Sequence, residues 1–138
     1  MTTGAATPAL PVRDIEAAVQ HYADRFGFAC PHRDDGFAIL TRDETFLHLW
    51  AAGDDGWRLR PEQDLRDSPV STGAETFIAG TASCRIHVTD VDALHAELAA
   101  RGVLHPTDPG APTDTDWGTR ELAALDLDGN LLTFFQQR

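Results

Sequence analysis

Two stretches of the chain carry the same pattern, and that repeat restricts the fold more than any other feature. Val12-Arg13-Asp14-Ile15-Glu16-Ala17-Ala18-Val19, running on through Tyr22 and Arg25 to Phe26-Gly27-Phe28, returns as Val88-Thr89-Asp90-Val91-Asp92-Ala93-Leu94, running on through Leu98 and Arg101 to Gly102-Val103-Leu104. Each copy reads as a strand end, an Asp that caps a helix, an amphipathic helix and a glycine stop. A unit this small cannot bury its apolar face alone, so the two copies must pack on each other. A cleft or cup is the expected product.

The rest of the chain falls into place around the copies. In the first half, a strand at Ala9 to Val12 and a helix from Ile15 to Phe26 are followed by strands near Phe28 to His32, Phe37 to Arg42 and Thr45 to Ala51, giving the order βαβββ. The second half supplies a strand around Thr81 to Val88, a helix from Val91 to Arg101, a short extended piece near Val103 to His105, and strands near Thr119 to Leu125 and Leu131 to Gln136. Asp126-Leu127-Asp128-Gly129-Asn130 between the last two is a strong hairpin signal. With 138 residues, 42% of them hydrophobic, the chain can bury one core. The reading is therefore an α+β fold in a single domain, residues 1–138, with module one at about 7–52 and module two at about 81–138. Between them, Gly53 to Gly80 is rich in Pro, Gly, Ser, Thr and Asp, and reads as a loop that is functional over the cleft or mobile. Trp57 within it is a lid residue or packs the loop down.

Composition removes several classes of function. A formal charge of −11 repels nucleic acid and is compatible with a cationic small ligand. No run of about 18 apolar residues suggests a membrane span, and the first residues lack a basic start, so a cytoplasmic protein is expected. Cys30 and Cys84 have no CxxC spacing and read as reduced, partly buried small hydrophobes.

Leu10-Pro11-Val12-Arg13-Asp14, Phe26-Gly27-Phe28, Trp117-Gly118-Thr119-Arg120-Glu121 and Leu127-Asp128-Gly129-Asn130-Leu131-Leu132, in that order, resemble the glyoxalase/bleomycin-resistance group of the vicinal oxygen chelate superfamily. The resemblance implies paired βαβββ modules that each curl a mixed sheet into half of a cup, usually in a dimer. Enzymes of the superfamily hold a divalent metal on His, Glu or Gln side chains in the cup. Register places Thr7, Ser83, His48 and Thr133 at those positions, and only His48 is a competent ligand where about three are needed. The chelate is expected to be missing, so no metal and no cofactor are called. A shift of one residue would bring His87 or Glu121 into play and restore a metal-dependent glyoxalase-like or dioxygenase-like enzyme, the rival reading. No nucleophile elbow, HExxH or phosphate-cradling glycine loop is present.

Alternation puts Phe46, His48 and Trp50 on one face of their strand and Ser83, Arg85 and His87 on one face of theirs, both facing the cup. In bleomycin-binding members of the family, a tryptophan of the Trp-Gly segment and a phenylalanine early in the third strand sandwich the flat part of the drug. Trp117 and Phe37 match those positions. Arg85 in the cup opposes a strongly cationic ligand unless an acid pairs with it. The expected function is capture, without turnover, of a planar DNA-damaging antibiotic or metabolite. Phe37 and Trp117 would stack it, and Phe46, His48, Trp50, Arg85 and His87 would shape or hydrogen-bond it. A homodimer is expected, with Pro8 and Pro11 holding the N-terminal strand at its interface, and neither nucleic acid nor membrane is a partner.

Overall fold

The computed structural model describes residues 1–52, 61–67, 69 and 78–138, and within them the duplication recurs element by element. Module one contains β1 (Ala9–Val12), α1 (Ile15–Phe26), β2 (Ala29–Arg33), β3 (Phe37–Arg42) and β4 (Thr45–Ala51). A six-residue helix α2 (Glu62–Asp67) precedes module two, which contains β5 (Ser83–His87), α3 (Val91–Arg101), β6 (Thr113–Asp114), β7 (Thr119–Leu125) and β8 (Leu131–Gln137). Each module makes one four-stranded mixed sheet, in the orders β1-β4-β3-β2 (sheet one) and β5-β8-β7-β6 (sheet two). β1 runs parallel to β4 with Ala9 opposite His48, and β5 runs parallel to β8 with Arg85 opposite Thr133.

The two long helices begin and end by the same devices. The Asp14 carboxylate accepts from the Ala17 N–H, the Asp90 carboxylate accepts from the Ala93 N–H, and each satisfies a donor that the first helical turn leaves free. Gly27 (φ 71°) and Gly102 (φ 72°) close the helices in the left-handed region, where a side chain is costly. Between the caps, Ile15, Ala18, Val19, Tyr22 and Phe26 are buried on α1, and Val91, Leu94, His95 and Leu98 on α3. The strands offer the matching faces: Leu10, Val12, Leu40, Leu47 and Leu49 from sheet one, and Ile86, Leu122, Ala124, Leu132 and Phe134 from sheet two. The apolar side chains among these share one core, in which the Phe26 and Phe134 rings stack at 6.4 Å. The opposite face of each sheet therefore points away from that core.

Polar contacts fasten the modules to each other in a near-symmetric way. Arg25 donates to the Arg101 carbonyl, and Arg101 donates back to the Asp24 carbonyl at 3.1 Å. The Arg42 guanidinium makes two hydrogen bonds to Glu97 (2.7 and 3.1 Å), tying the β3–β4 turn to α3. In the reciprocal position, the Tyr22 hydroxyl donates to Asp126 (2.7 Å), and Asn130 donates to both Asp126 and the Pro11 carbonyl (2.9 Å each), tying the β7–β8 turn to α1 and β1. Burial first, and then Asp126 as both coulombic neighbour and acceptor, push the Tyr22 phenol well above its usual range, so it stays a donor.

One expectation needs correction. The extended piece near Val103 to His105 shrinks to one bridge, Leu104 to Ala124, and the fourth strand of sheet two is β6, a two-residue strand inside the polar segment before Trp117. Two residues carry no periodicity to read. Of the helix histidines, His21 is half-buried and His95 buried, and His95 is paired with Asp108 at 2.9 Å. The reading of the segment from Gly53 to Gly80, Trp57 included, lies largely outside the described residues. Cys30 and Cys84 are both partly buried free thiols as expected, and burial followed by the charge of Asp126 pushes the Cys84 thiol up to about 11.

Candidate ligand-binding site

Pairing of β3 with β4 decides which side chains share the open face of sheet one. Phe37 lies opposite Trp50, Ile39 opposite His48 and Thr41 opposite Phe46. The Phe37 ring packs on Trp50 at 4.3 Å with a 34° tilt and meets His48 edge-on at 5.0 Å, with His32 at 5.9 Å. Phe37, His48 and Trp50 are half-buried by one another, while Phe46 on the same face is 53% exposed. The alternation read along β4 puts Phe46, His48 and Trp50 on one face, as this register does.

Sheet two presents a polar counterpart. Arg85 donates to both oxygens of Glu121 (3.1 and 2.5 Å), and its guanidinium lies 4.7 Å from the centre of the Phe135 ring. His87 meets the other side of this group, edge-on to Phe135 at 5.5 Å. Glu121 also accepts from the Thr119 hydroxyl (2.6 Å) and from the indole N–H of Trp117 (3.3 Å). The Arg85 guanidinium, aided by Thr119 and Trp117, holds the Glu121 carboxyl down to about 2 against the opposing effect of its burial. Glu121 is thus an anion whose oxygens are engaged by Arg85, Thr119 and Trp117, which suits it poorly to act as a general base.

Trp117 stands at the tip of the turn between β6 and β7. Thr115 fastens that turn, its hydroxyl meeting the Thr119 hydroxyl at 2.8 Å and its N–H donating to the Thr119 carbonyl at 2.9 Å. Gly118 follows with φ 88°, a conformation that a side chain would disfavour, so the indole is carried outward on a rigid support. It remains 68% exposed. Trp117, Glu121, Ala123 and Thr133 share a cavity of about 290 Å³ with His105, Thr107, Asp108 and Pro109. The loop wall is pinned to α3 through His95, whose ring nitrogen lies 2.9 and 3.1 Å from the Asp108 oxygens. Burial pushes the Asp108 carboxyl up, but the hydrogen bonds from His95 and the Gly110 N–H outweigh it and leave the carboxyl below its usual range. A larger groove of about 460 Å³ runs along the seam between the modules, and of the predicted residues it contains only His87.

The predicted residues thus assemble into two clusters, Phe37 with His48 and Trp50 on sheet one, and Arg85 and His87 beside Trp117 on sheet two. Because both sheets turn their other faces to the shared core, the clusters look away from each other within one chain. Of the two prolines, Pro8 is half-buried, whereas Pro11 is fully buried inside the chain under Asn130. The residues at the positions of a superfamily metal do not fit one. Thr7, Ser83 and Thr133 offer hydroxyls, His48 is the lone imidazole, and Glu121 is engaged by Arg85. Phe135 was missed, although alternation from Thr133 puts it on the open face. The loop residues His105, Thr107, Asp108 and Pro109 were missed as well, and they follow no periodicity that could have marked them.

The model of the Glyoxalase/Bleomycin resistance protein/Dioxygenase superfamily matches residues 4–134. The chain belongs to this superfamily. A bleomycin resistance protein of Geobacillus stearothermophilus is 49% identical over 130 residues, which is 94% of each chain. Among solved structures, the bleomycin-binding protein of bleomycin-producing Streptomyces verticillus, complexed with copper(II)-bleomycin, superposes with a TM-score of 0.70 at 26% identity over 100% of this chain and 99% of that one. A bleomycin-binding protein complexed with bleomycin gives 0.67 at 28% identity, covering 99% of this chain and 100% of the other. The paired-module architecture expected from the repeat is the fold of these proteins. Among the described residues, no helix is long and apolar enough to cross a membrane.

Proposed function

We infer that this chain is a bleomycin resistance protein of the superfamily, one that captures bleomycin or a closely similar glycopeptide and leaves it chemically unchanged. The observation that carries this reading is Trp117, an indole left 68% exposed on a hydrogen-bonded support. Exposing a tryptophan wastes apolar burial unless a ligand or partner covers it, and a flat heteroaromatic group stacked on the ring gains about 0.5–1.5 kcal/mol beyond area burial. Identity of 49% to a bleomycin resistance protein and likeness to two bleomycin complexes support the choice of ligand.

Stacking between Phe37 and Trp117 requires the open faces of sheets one and two to meet, and they look apart within one chain. A homodimer resolves this by setting sheet one of one protomer against sheet two of its partner, forming two equivalent clefts by symmetry. Pro8, half-buried where its carbonyl accepts from the His48 N–H just before β1, would guide the N-terminal segment along that seam. In each cleft Phe37, Phe46, His48 and Trp50 form one wall, and Arg85, His87 and Trp117 the other. Capture takes place in the cytoplasm, before the drug reaches DNA. Sedimentation velocity followed at the drug's absorbance tests both parts. Bleomycin should co-sediment with a particle of twice the chain mass at one drug per chain. A monomer that binds the drug would refute the shared cleft, and a drug that stays behind would refute the ligand.

A further inference from the structure

The cleft wall on sheet two carries an arginine, although the chain as a whole carries a formal charge of −11. Left alone, that guanidinium would repel a cation. The Arg85 side chain is 47% exposed, so it sits at the surface that a ligand touches, whereas the Glu121 side chain beneath it is 13% exposed. Two charge-assisted hydrogen bonds join them in a fork, and Phe135 supports the guanidinium from one side at 4.7 Å. Other ionisable groups near this wall include His87, which meets Phe135, His105, Asp116 next to Trp117, and, in the loop, Asp108, which His95 engages.

We propose that Glu121 is the charge-specificity residue of the site, neutralising Arg85 so that the wall accepts a cationic ligand while its remaining lone pairs fix the Trp117 indole. The proposal rests on the bleomycin-capture reading and adds to it the sign of charge that the wall tolerates. The paired wall is an extended, nearly neutral dipole. Removal of the carboxylate leaves a positive charge beside the indole, and removal of the guanidinium leaves a negative one.

Two probes that share the glycopeptide body and differ in terminal charge read the sign directly: bleomycin, whose terminal substituent is cationic, and bleomycinic acid, in which that substituent is removed and a carboxylate remains. Calorimetric titrations are compared for wild type, Glu121→Gln, Arg85→Gln and the double variant, each checked for native circular dichroism. Glu121→Gln should weaken bleomycin by about three- to tenfold and strengthen bleomycinic acid, the range expected for one partly screened charge at contact distance. Arg85→Gln should shift both probes the opposite way. The double variant should return the ratio of the two affinities to the wild-type value. A purely structural role for Glu121 would weaken both probes alike, with no recovery in the double variant, and that result would overturn the proposal while leaving capture intact. If wild type binds neither probe, the capture reading and this proposal fall together.

Discussion

At the scale of single residues, the motifs that carried the family resemblance turn out to perform different physical tasks. The Leu127-Asp128-Gly129-Asn130 turn is a fastener, with the Asn130 side chain wholly buried between Asp126 and the Pro11 carbonyl. The Trp117-Gly118 turn is a display, since Gly118 supplies the backbone conformation and Thr119 and Glu121 supply the hydrogen bonds that hold the indole outward. Truncating the displayed ring removes the stacked surface without disturbing the core. Trp117→Ala should therefore weaken bleomycin by at least about 2 kcal/mol, roughly thirtyfold, measured by calorimetry, with an unchanged melting temperature. An affinity within threefold of wild type would show that the indole is not a ligand contact. The identity of these residues was legible in the sequence. The pairing of Arg85 with Glu121 was legible only as a condition, because a separation of 36 positions along the chain hides that β7 and β5 both border β8.

At the scale of elements, periodicity and capping chemistry sufficed where the segment was long and one face was buried. Both long helices, β1, β3, β4 and β7 were read at their observed ends, because Asp caps and glycine stops bound the helices, the cap of α1 also ends β1, and turn residues flank the longer strands. β6 escaped because two residues in a polar loop have neither pattern nor core contact. Burial of His95 escaped for another reason: its partner Asp108 lies on a loop whose path follows from tertiary packing. The turn joining β7 and β8 does more than reverse the chain, since it locks onto β1 and α1 of the other module. Asn130→Ala strips hydrogen bonds from the Pro11 carbonyl and Asp126 in a buried setting and should cost about 2–4 kcal/mol of stability, seen in denaturant unfolding. A loss below about 1 kcal/mol would mean that the hydrophobic core alone holds the modules together.

At the scale of the whole molecule, the duplicated unit accounts for both the fold and the site. Two modules spend one sheet face each on a common core and keep the other face open, one lined by aromatic rings and the other by a neutralised ion pair beside an exposed tryptophan. The positions where a superfamily enzyme would place metal ligands carry Thr7, Ser83, His48 and Thr133, a set that suits a wall better than a chelate. Stoichiometric capture without turnover makes a sharp prediction for the nicking of supercoiled plasmid by iron-loaded bleomycin. With increasing protein, protection should be complete at one chain per drug and incomplete below it, however long the protein and drug are incubated beforehand. Protection that grows with incubation time at one chain per hundred drug molecules would reveal turnover and contradict the account.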